Sequence, residues 1–363
     1  LMAATVGWLI ATWWVVPGLY KISGSNPGII LSLFILFCIY SALPYAIACY
    51  CFKRWRMYAS ISGAFASAAM FTLIVNYVPT VLPGNIAHGL YLETAQIQLA
   101  AFGGVPLVFF VIHLVCMLLT TAVYLRNKNS SKSIISVILV VALLVANYGI
   151  GKFVLTKTHD TKDNIKVALI QPNFSISFRD RESWVGYQHI VKNLIDSAKA
   201  TEKLDVILVP EIPVLVSHQY FEQDSTFFNA ILDDEALFLT GIKPVGNALK
   251  EDDGYFNTVE LIHNQQVQQT YAKRVLLPFG EYLPFENKLP FLRTLMPNVP
   301  NYFPGEGNTT LDFAVNNQLV KIAPLICYEA VFSKVVLEAV ENGADIVINT
   351  SNDAWLGASA GGR

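Results

Sequence analysis

The chain has 363 residues, of which 53% are hydrophobic and 14% charged, and its mean hydropathy of +0.45 is too high for an ordinary soluble protein of this length. A net charge of −2 without basic tracts leaves no electrostatic footprint for nucleic acid. Paired-Cys or His-rich metal spacings and glycine-rich phosphate loops are missing too, so neither a metal nor another cofactor is expected. Residues 1–155 carry eight Lys or Arg and a single acid, Glu93, whereas the remainder carries 17 basic and 26 acidic residues. The imbalance predicts a membrane domain over 1–155 and a domain of a different kind over 164–363. The chain opens on Leu1 inside an apolar run and ends on Gly361-Gly362-Arg363 with no closing element, so it reads as an internal piece of a longer one.

Five stretches, 3–20, 28–52, 57–78, 103–125 and 133–155, qualify as transmembrane helices, which need roughly 20 mostly apolar residues each. Lys53-Arg54-Trp55-Arg56 separates the second from the third, and Arg126, Lys128 and Lys132 lie between the fourth and fifth. The other connections hold Lys21 alone and the 79–102 segment, which has neither Lys nor Arg. The positive-inside rule therefore puts the two basic loops in the cytoplasm and everything beyond Lys152 on the outer face. His88, in the Pro- and Gly-containing loop at 78–89, reads as an interfacial histidine in preference to a catalytic one.

Beyond residue 164 the period changes. Short β-runs are expected at 166–171, 205–210, 236–241, 255–263, 320–326 and 345–349, with helices at about 185–202 and 331–342. Buried β-runs interleaved with helices indicate an α/β domain whose reactive groups follow the carboxyl ends of strands. Three such exits or loops each carry one reactive group. Asp205-Val-Ile-Leu-Val-Pro210 delivers Glu211, the segment from Tyr271 delivers Lys273, and Val320–Ile326 delivers Cys327.

The chemistry joins these three residues. A thiol with an ordinary pKa of about 8.5 is mostly protonated at neutral pH, so a cysteine nucleophile needs a base or a neighbouring cation. Glu211 suits the first role and Lys273 the second. Lys273 and the backbone N–H of Tyr328 would also meet the oxyanion formed when sulfur attacks a carbonyl. Cys38, Cys49, Cys51 and Cys116 all fall in the apolar half, which leaves Cys327 without a sequence neighbour for a disulfide. An unpaired thiol on the outer face is uncommon unless it is used or shielded.

The set PE at 210–211, YAKRVLLPFGEYLPFE at 271–286, CYE at 327–329 and SNDAWLG at 351–357 resembles the carbon–nitrogen hydrolase (nitrilase) superfamily. Together with the apolar half, it resembles the bacterial apolipoprotein N-acyltransferase family within it. That resemblance implies a Glu211-Lys273-Cys327 triad, with Glu281 and Glu329 as supporting acids and Tyr328 beside the nucleophile. It implies two packed β-sheets flanked by helices (αββα), here truncated, joined to a polytopic helical membrane domain in the bacterial inner membrane with the catalytic half on the outer, periplasmic face. It further implies a monomeric enzyme working in the lipid bilayer. Its acyl donor would be a membrane phospholipid and its acceptor the α-amine of the diacylated N-terminal cysteine of an apolipoprotein, the acyl group travelling as a Cys327 thioester. The family pattern also contains further spans before and after this segment, and Leu356 stands where it commonly has Phe. A membrane-tethered amidase or nitrilase, in which water resolves the same thioester, is the alternative reading.

Overall fold

In the computed structural model, residues 1–23, 25–80, 84–157, 165–173, 181–211, 236–244, 254–263, 266–307, 309–315 and 318–352 are described. Of the 351–357 motif only Ser351 and Asn352 are among them; Asp353 to Gly357 lie outside the described residues, as does Pro83. The chain forms two compact units, one of residues 1–13 with 32–162 and one of residues 14–31 with 163–363.

Among the described residues, three helices of the apolar half, α3 (Pro27–Arg54), α5 (Ala100–Leu125) and α6 (Ser130–Leu155), are long and apolar enough to cross a bilayer. That is two fewer than the five stretches in the sequence suggest. The first stretch breaks into α1 (Met2–Thr12) and α2 (Val15–Ser23). Pro17 accounts for the break: without an N–H it cannot bond the Trp13 carbonyl four residues back, so it is tolerated in the first turn of a new helix and cannot continue the old one. The third stretch opens with a 3-10 turn, Met57–Ala59, and yields only the 17-residue α4 (Ile61–Tyr77), capped by Ser60 Oγ accepting from Gly63 N at 3.0 Å. At 1.5 Å per residue it is roughly 26 Å long, short of a hydrocarbon core of about 30 Å. Small residues let α4 pack closely: Ala64 and Ala68 are fully buried with Leu114 and Leu118 of α5 and with Val140 of α6. His88 has a structural task, its Nδ1 accepting from Asn85 N at 3.1 Å to cap the 3-10 turn Ile86–Leu90.

Among the described residues, the second unit has two sheets. The first has β1 (Val167–Leu169), β2 (Val206–Leu208), β3 (Ala236–Pro244), β4 (Tyr255–His263) and β5 (Gln266–Ala272) in that order. Strands β1, β2 and β3 are parallel, and β4 is antiparallel to both β3 and β5. The second has β6 (Leu311–Val315) antiparallel to β7 (Gln318–Ile326), which is parallel to β8 (Ile346–Thr350). Helix α7 (Arg181–Lys199) connects β1 to β2, the short α8 (Phe291–Leu295) lies beyond β5, and α9 (Ser333–Glu341) connects β7 to β8.

One apolar cluster joins the sheets: Val206, Val259, Leu261 and Tyr271 from the first pack with Leu311, Phe313, Val320, Ile322, Ile326 and Ile348 from the second. Burying each aliphatic side chain of this kind is worth about 1.5–3 kcal/mol, so the cluster holds the sheets face to face. Strand direction then decides where the polar groups fall. Because β4 runs against both of its neighbours, β5 points the same way as β2, and their carboxyl ends share one sheet edge with the beginning of β4. Side chains alternate along a strand, so Asn257 lies on the same face as Val259 and Leu261, and Lys273 on that of Tyr271. The inter-sheet core therefore ends in polar groups at this edge.

Candidate active site

Glu211 follows β2, Lys273 follows β5 and Cys327 follows β7, and the fold brings all three together. The Glu211 carboxylate and the Cys327 thiol are hydrogen-bonded, and both lie within electrostatic range of the Lys273 ammonium. Lys273 is 1% exposed, and its Nζ donates to Glu281 Oε1 at 2.8 Å. Its main chain is fixed on both sides, the N–H donating to the Asn257 carbonyl and the carbonyl accepting from Gly305 N, each at 2.7 Å. Gly305 has to be glycine there, since a Cβ would stand 2.4 Å from the Ala272 carbonyl oxygen.

Cys327 begins the 3-10 turn Cys327–Val331 with φ +52°, in the left-handed region that a residue with a side chain adopts at a cost of roughly 1–2 kcal/mol. Glu329 holds that turn in place. It is fully buried, and its two carboxylate oxygens accept from Ile326 N (2.9 Å), the Tyr271 hydroxyl (2.9 and 3.0 Å), Arg274 N (2.7 Å) and Val275 N (3.1 Å). The same carboxylate thus fastens the strand exit bearing Cys327 to the loop bearing Lys273. Arg274 adds a second tie through Nη2 to both oxygens of Glu338 on α9, at 3.0 and 3.1 Å.

Glu281 is buried by a tight turn in which Glu281 N donates to Leu277 O at 2.9 Å and Phe279 takes φ +62°. Its Oε2 accepts from Leu277 N at 2.8 Å, while Oε1, besides Lys273, accepts from Asn257 Nδ2 at 3.1 Å. Asn257 Nδ2 donates also to Glu211 Oε1 at 2.9 Å. Tyr328 is partly exposed, with its ring edge-on to Phe332 at 4.9 Å between centroids.

The electrostatics keep the resting thiol neutral. Burial, then the Glu211 charge, pushes the Cys327 thiol up to about 12, although Lys273 and a hydrogen bond from Ser351 pull the other way. Burial also raises Glu211 above the ordinary carboxylate range, assisted by Glu281 and opposed by Lys273 and the Asn257 hydrogen bond. Burial alone would lower Lys273, but the Glu281 and Glu211 carboxylates outweigh it and the ammonium is raised. The arrangement is a protonated sulfur hydrogen-bonded to a carboxylate whose proton affinity has moved toward neutrality. Such a base takes a proton as sulfur attacks, in preference to holding a thiolate beforehand.

Sequence reasoning overlooks Asn257 and Gly305, and it includes Ser351 only as the first residue of the 351–357 motif. An amide inside a strand otherwise buried on both faces is the available signal for Asn257. Gly305 carries no comparable mark.

The second unit's sequence matches the carbon-nitrogen hydrolase family over residues 166–362, and the chain belongs to that family. Among curated relatives it is 28% identical to an apolipoprotein N-acyltransferase of Rickettsia typhi over 80% of this chain and 57% of the relative. To an apolipoprotein N-acyltransferase of Pseudomonas putida it is 27% identical over 96% of this chain and 68% of the relative. The chain thus spans little more than half the length of the Rickettsia protein. A solved amidase from Nesterenkonia sp. aligns at TM-score 0.38 with 19% identity, over 53% of this chain and 66% of that one.

Proposed function

We propose that this chain is the acyl-transferring segment of an apolipoprotein N-acyltransferase that moves an acyl chain from a membrane phospholipid to the α-amine of a diacylated N-terminal cysteine. The observation that carries the reading is the cluster of Glu211, Lys273 and Cys327 at one sheet edge of a chain that also has three membrane-length helices among its described residues. The names of the curated relatives support the same reaction. A substrate that cannot leave the lipid explains why a hydrolase-type domain would be joined to such helices.

In this mechanism the Cys327 sulfur attacks the phospholipid ester carbonyl as its proton passes to Glu211. Lys273 and the Tyr328 N–H meet the charge that develops on oxygen, and each such donor is worth about 3 kcal/mol of barrier. The C–O bond breaks, the lysophospholipid leaves with the proton from Glu211, and a thioester remains on Cys327. The lipoprotein amine then attacks the thioester and gives its proton to Glu211. The C–S bond breaks, and that proton returns to sulfur. Water is excluded by a dry, lipid-facing site. Residues 1–155 would form the part in the inner membrane, with the basic loops in the cytoplasm and residues 164–363 on the outer face.

The test uses the full-length protein with labelled phospholipid. Wild type accumulates acyl-enzyme when no lipopeptide is present, and Cys327→Ala accumulates none; labelled Cys327→Ala would remove Cys327 as the nucleophile. The family's name favours a second reading, hydrolysis of a carbon–nitrogen bond. Ammonia released from small amides, with no transfer to a diacylated lipopeptide, would replace the first reading with the second.

A further inference from the structure

Among the described residues, Asn257 is a buried polar group in the site that the chemistry above does not use. It is 6% exposed, and a single atom, Nδ2, donates to Glu211 Oε1 and to Glu281 Oε1, at 2.9 and 3.1 Å. Two carboxylates that meet at one point in a buried site ordinarily relieve their repulsion by sharing a proton. A primary amide offers another solution, because its nitrogen carries two N–H bonds and can serve both oxygens at once. The amide's orientation follows from its neighbours. Turned round, its Oδ1 would need a proton from each carboxyl group, yet Glu281 is ion-paired with Lys273 at 2.8 Å.

We propose that Asn257 is a positioning residue that keeps a proton off the facing oxygens of Glu211 and Glu281, so that Glu211 presents a free carboxylate to the Cys327 thiol. This rests on the reading of Glu211 as the proton acceptor, and it assigns the amide a task that apolar packing could not perform. Charged or titratable groups face Glu211 from several elements: Lys273 from the exit of β5, Glu281 from the turn beyond it, and Cys327 from the exit of β7. The Tyr302 hydroxyl, itself raised by burial and by the Glu281 and Glu211 charges, lies in the same electrostatic field. Among these neighbours Lys273, the Cys327 hydrogen bond and Asn257 favour the ionised form of Glu211. Of the three, Asn257 is the one that donates hydrogen bonds to both carboxylates. Without the amide, Glu211 binds its proton more tightly, the fraction of free base falls at any given pH, and the acid limb of the reaction moves to higher pH.

The experiment compares wild type, Asn257→Asp and Asn257→Ala in the full-length protein by two readouts. The first is the pH dependence of Cys327 alkylation by iodoacetamide, which needs only that the thiol lose its proton to the site and is independent of the natural substrate. The second is the pH dependence of acyl-enzyme formation from labelled phospholipid. Asn257→Asp keeps the shape and adds a third carboxylate, so its acid limb is expected about one pH unit higher in both readouts, a loss of about tenfold on that limb. Asn257→Ala moves the limb in the same direction by less. If the limb stays in place in both variants, whatever the loss in rate, Asn257 only fills space and the proposal falls. If the alkylation limb moves while wild type never takes an acyl group from phospholipid, the role of Asn257 stands and the acyltransferase reading fails.

Discussion

In the first unit the buried hydroxyls of Ser41, Ser67 and Thr121 have no hydrogen-bond partner among the described residues. In the second, the buried carboxylate of Glu329 accepts from four separate groups, and that of Glu281 from three. The difference follows from what each group must be. A serine between helices is first of all small: it lets backbones approach, and its hydroxyl is cheap to leave wanting compared with a charge. A carboxylate cannot be buried on those terms, because an unpaired charge in a low-dielectric interior costs several kcal/mol. At Glu329 and Glu281 the second unit surrounds the charge with donors and makes those donors part of the site's framework. The unpartnered hydroxyls of Ser41, Ser67 and Thr121 therefore report on packing, and the carboxylates of Glu329 and Glu281 on position.

The comparison breaks first at Glu329, where the largest effect is expected. Glu329→Ala leaves Ile326 N, Arg274 N, Val275 N and the Tyr271 hydroxyl facing a hole. Loss of about 3–5 kcal/mol is expected, seen as a large drop in the melting temperature of the detergent-solubilised protein. Glu329→Gln keeps the shape and should recover part of that stability. Gln still accepts at one oxygen, but its amide opposes the donors at the other. If Glu329→Ala melts like wild type, the carboxylate is not the tie between the two strand exits.

Glu211 sharpens the comparison from the other side, because in the proposed mechanism its carboxylate serves the chemistry, and it works against the fold. Its pKa is raised in the folded state, so between the ordinary carboxylate value and the raised one the folded protein holds more proton than the unfolded chain. Stability from this group is full at low pH and falls as pH rises through that window. At neutral pH the ionised Glu211 is a net cost. Glu211→Gln is therefore expected to abolish acyl-enzyme formation while raising the melting temperature at pH 7 by ~2–4 °C, the response to about 1 kcal/mol in a unit of this size. The gain should shrink as pH falls. An inactive variant that melts below wild type at pH 7 would show Glu211 to be a structural acid.

Much of this arrangement is legible in the amino-acid sequence, and the losses have physical causes. Strand β4 is expected at 255–263 and found at Tyr255–His263, because aromatic and β-branched residues, Tyr255, Phe256, Thr258, Val259 and Ile262, dominate the run. Strands β5 and β6 escape the sequence reading. Gln266–Ala272 is an edge strand with its first residues exposed, so its Gln-rich sequence has no apolar face to announce it. Leu311–Val315 is only five residues long. The apolar stretches show where membrane helices lie but not their lengths, since hydropathy does not register the bond that Pro17 cannot make or the 3-10 turn ahead of Ser60. Glu211, Lys273 and Cys327 can be read because each follows a strand or lies in a motif of recognisable spacing. Asn257 shows in the sequence only as an amide inside a strand, because its place beside Glu211 and Glu281 arises where β4 meets the edge at which β2 and β5 end.

The smallest effect is expected in the first unit, where it tests the premise of the comparison. Ser67 is fully buried on α4 between Gly63 and Phe71, on the face that also carries Ala64 and Ala68. That face tolerates little added volume: a Cβ on Gly63 would come within 2.1 Å of the Met57 carbonyl oxygen. If Ser67 is there for its size, Ser67→Ala removes a hydroxyl with no partner and should change the melting temperature by no more than about 0.5 kcal/mol would, with a gain as acceptable as a loss. Ser67→Leu keeps the site apolar but adds volume at a close helix contact, and overpacking of that kind costs about 1–3 kcal/mol. A larger loss in the alanine variant than in the leucine variant would reverse the argument. The hydroxyl would then have a partner of its own, and Ser67 would be buried on the same terms as Glu329 and Glu281.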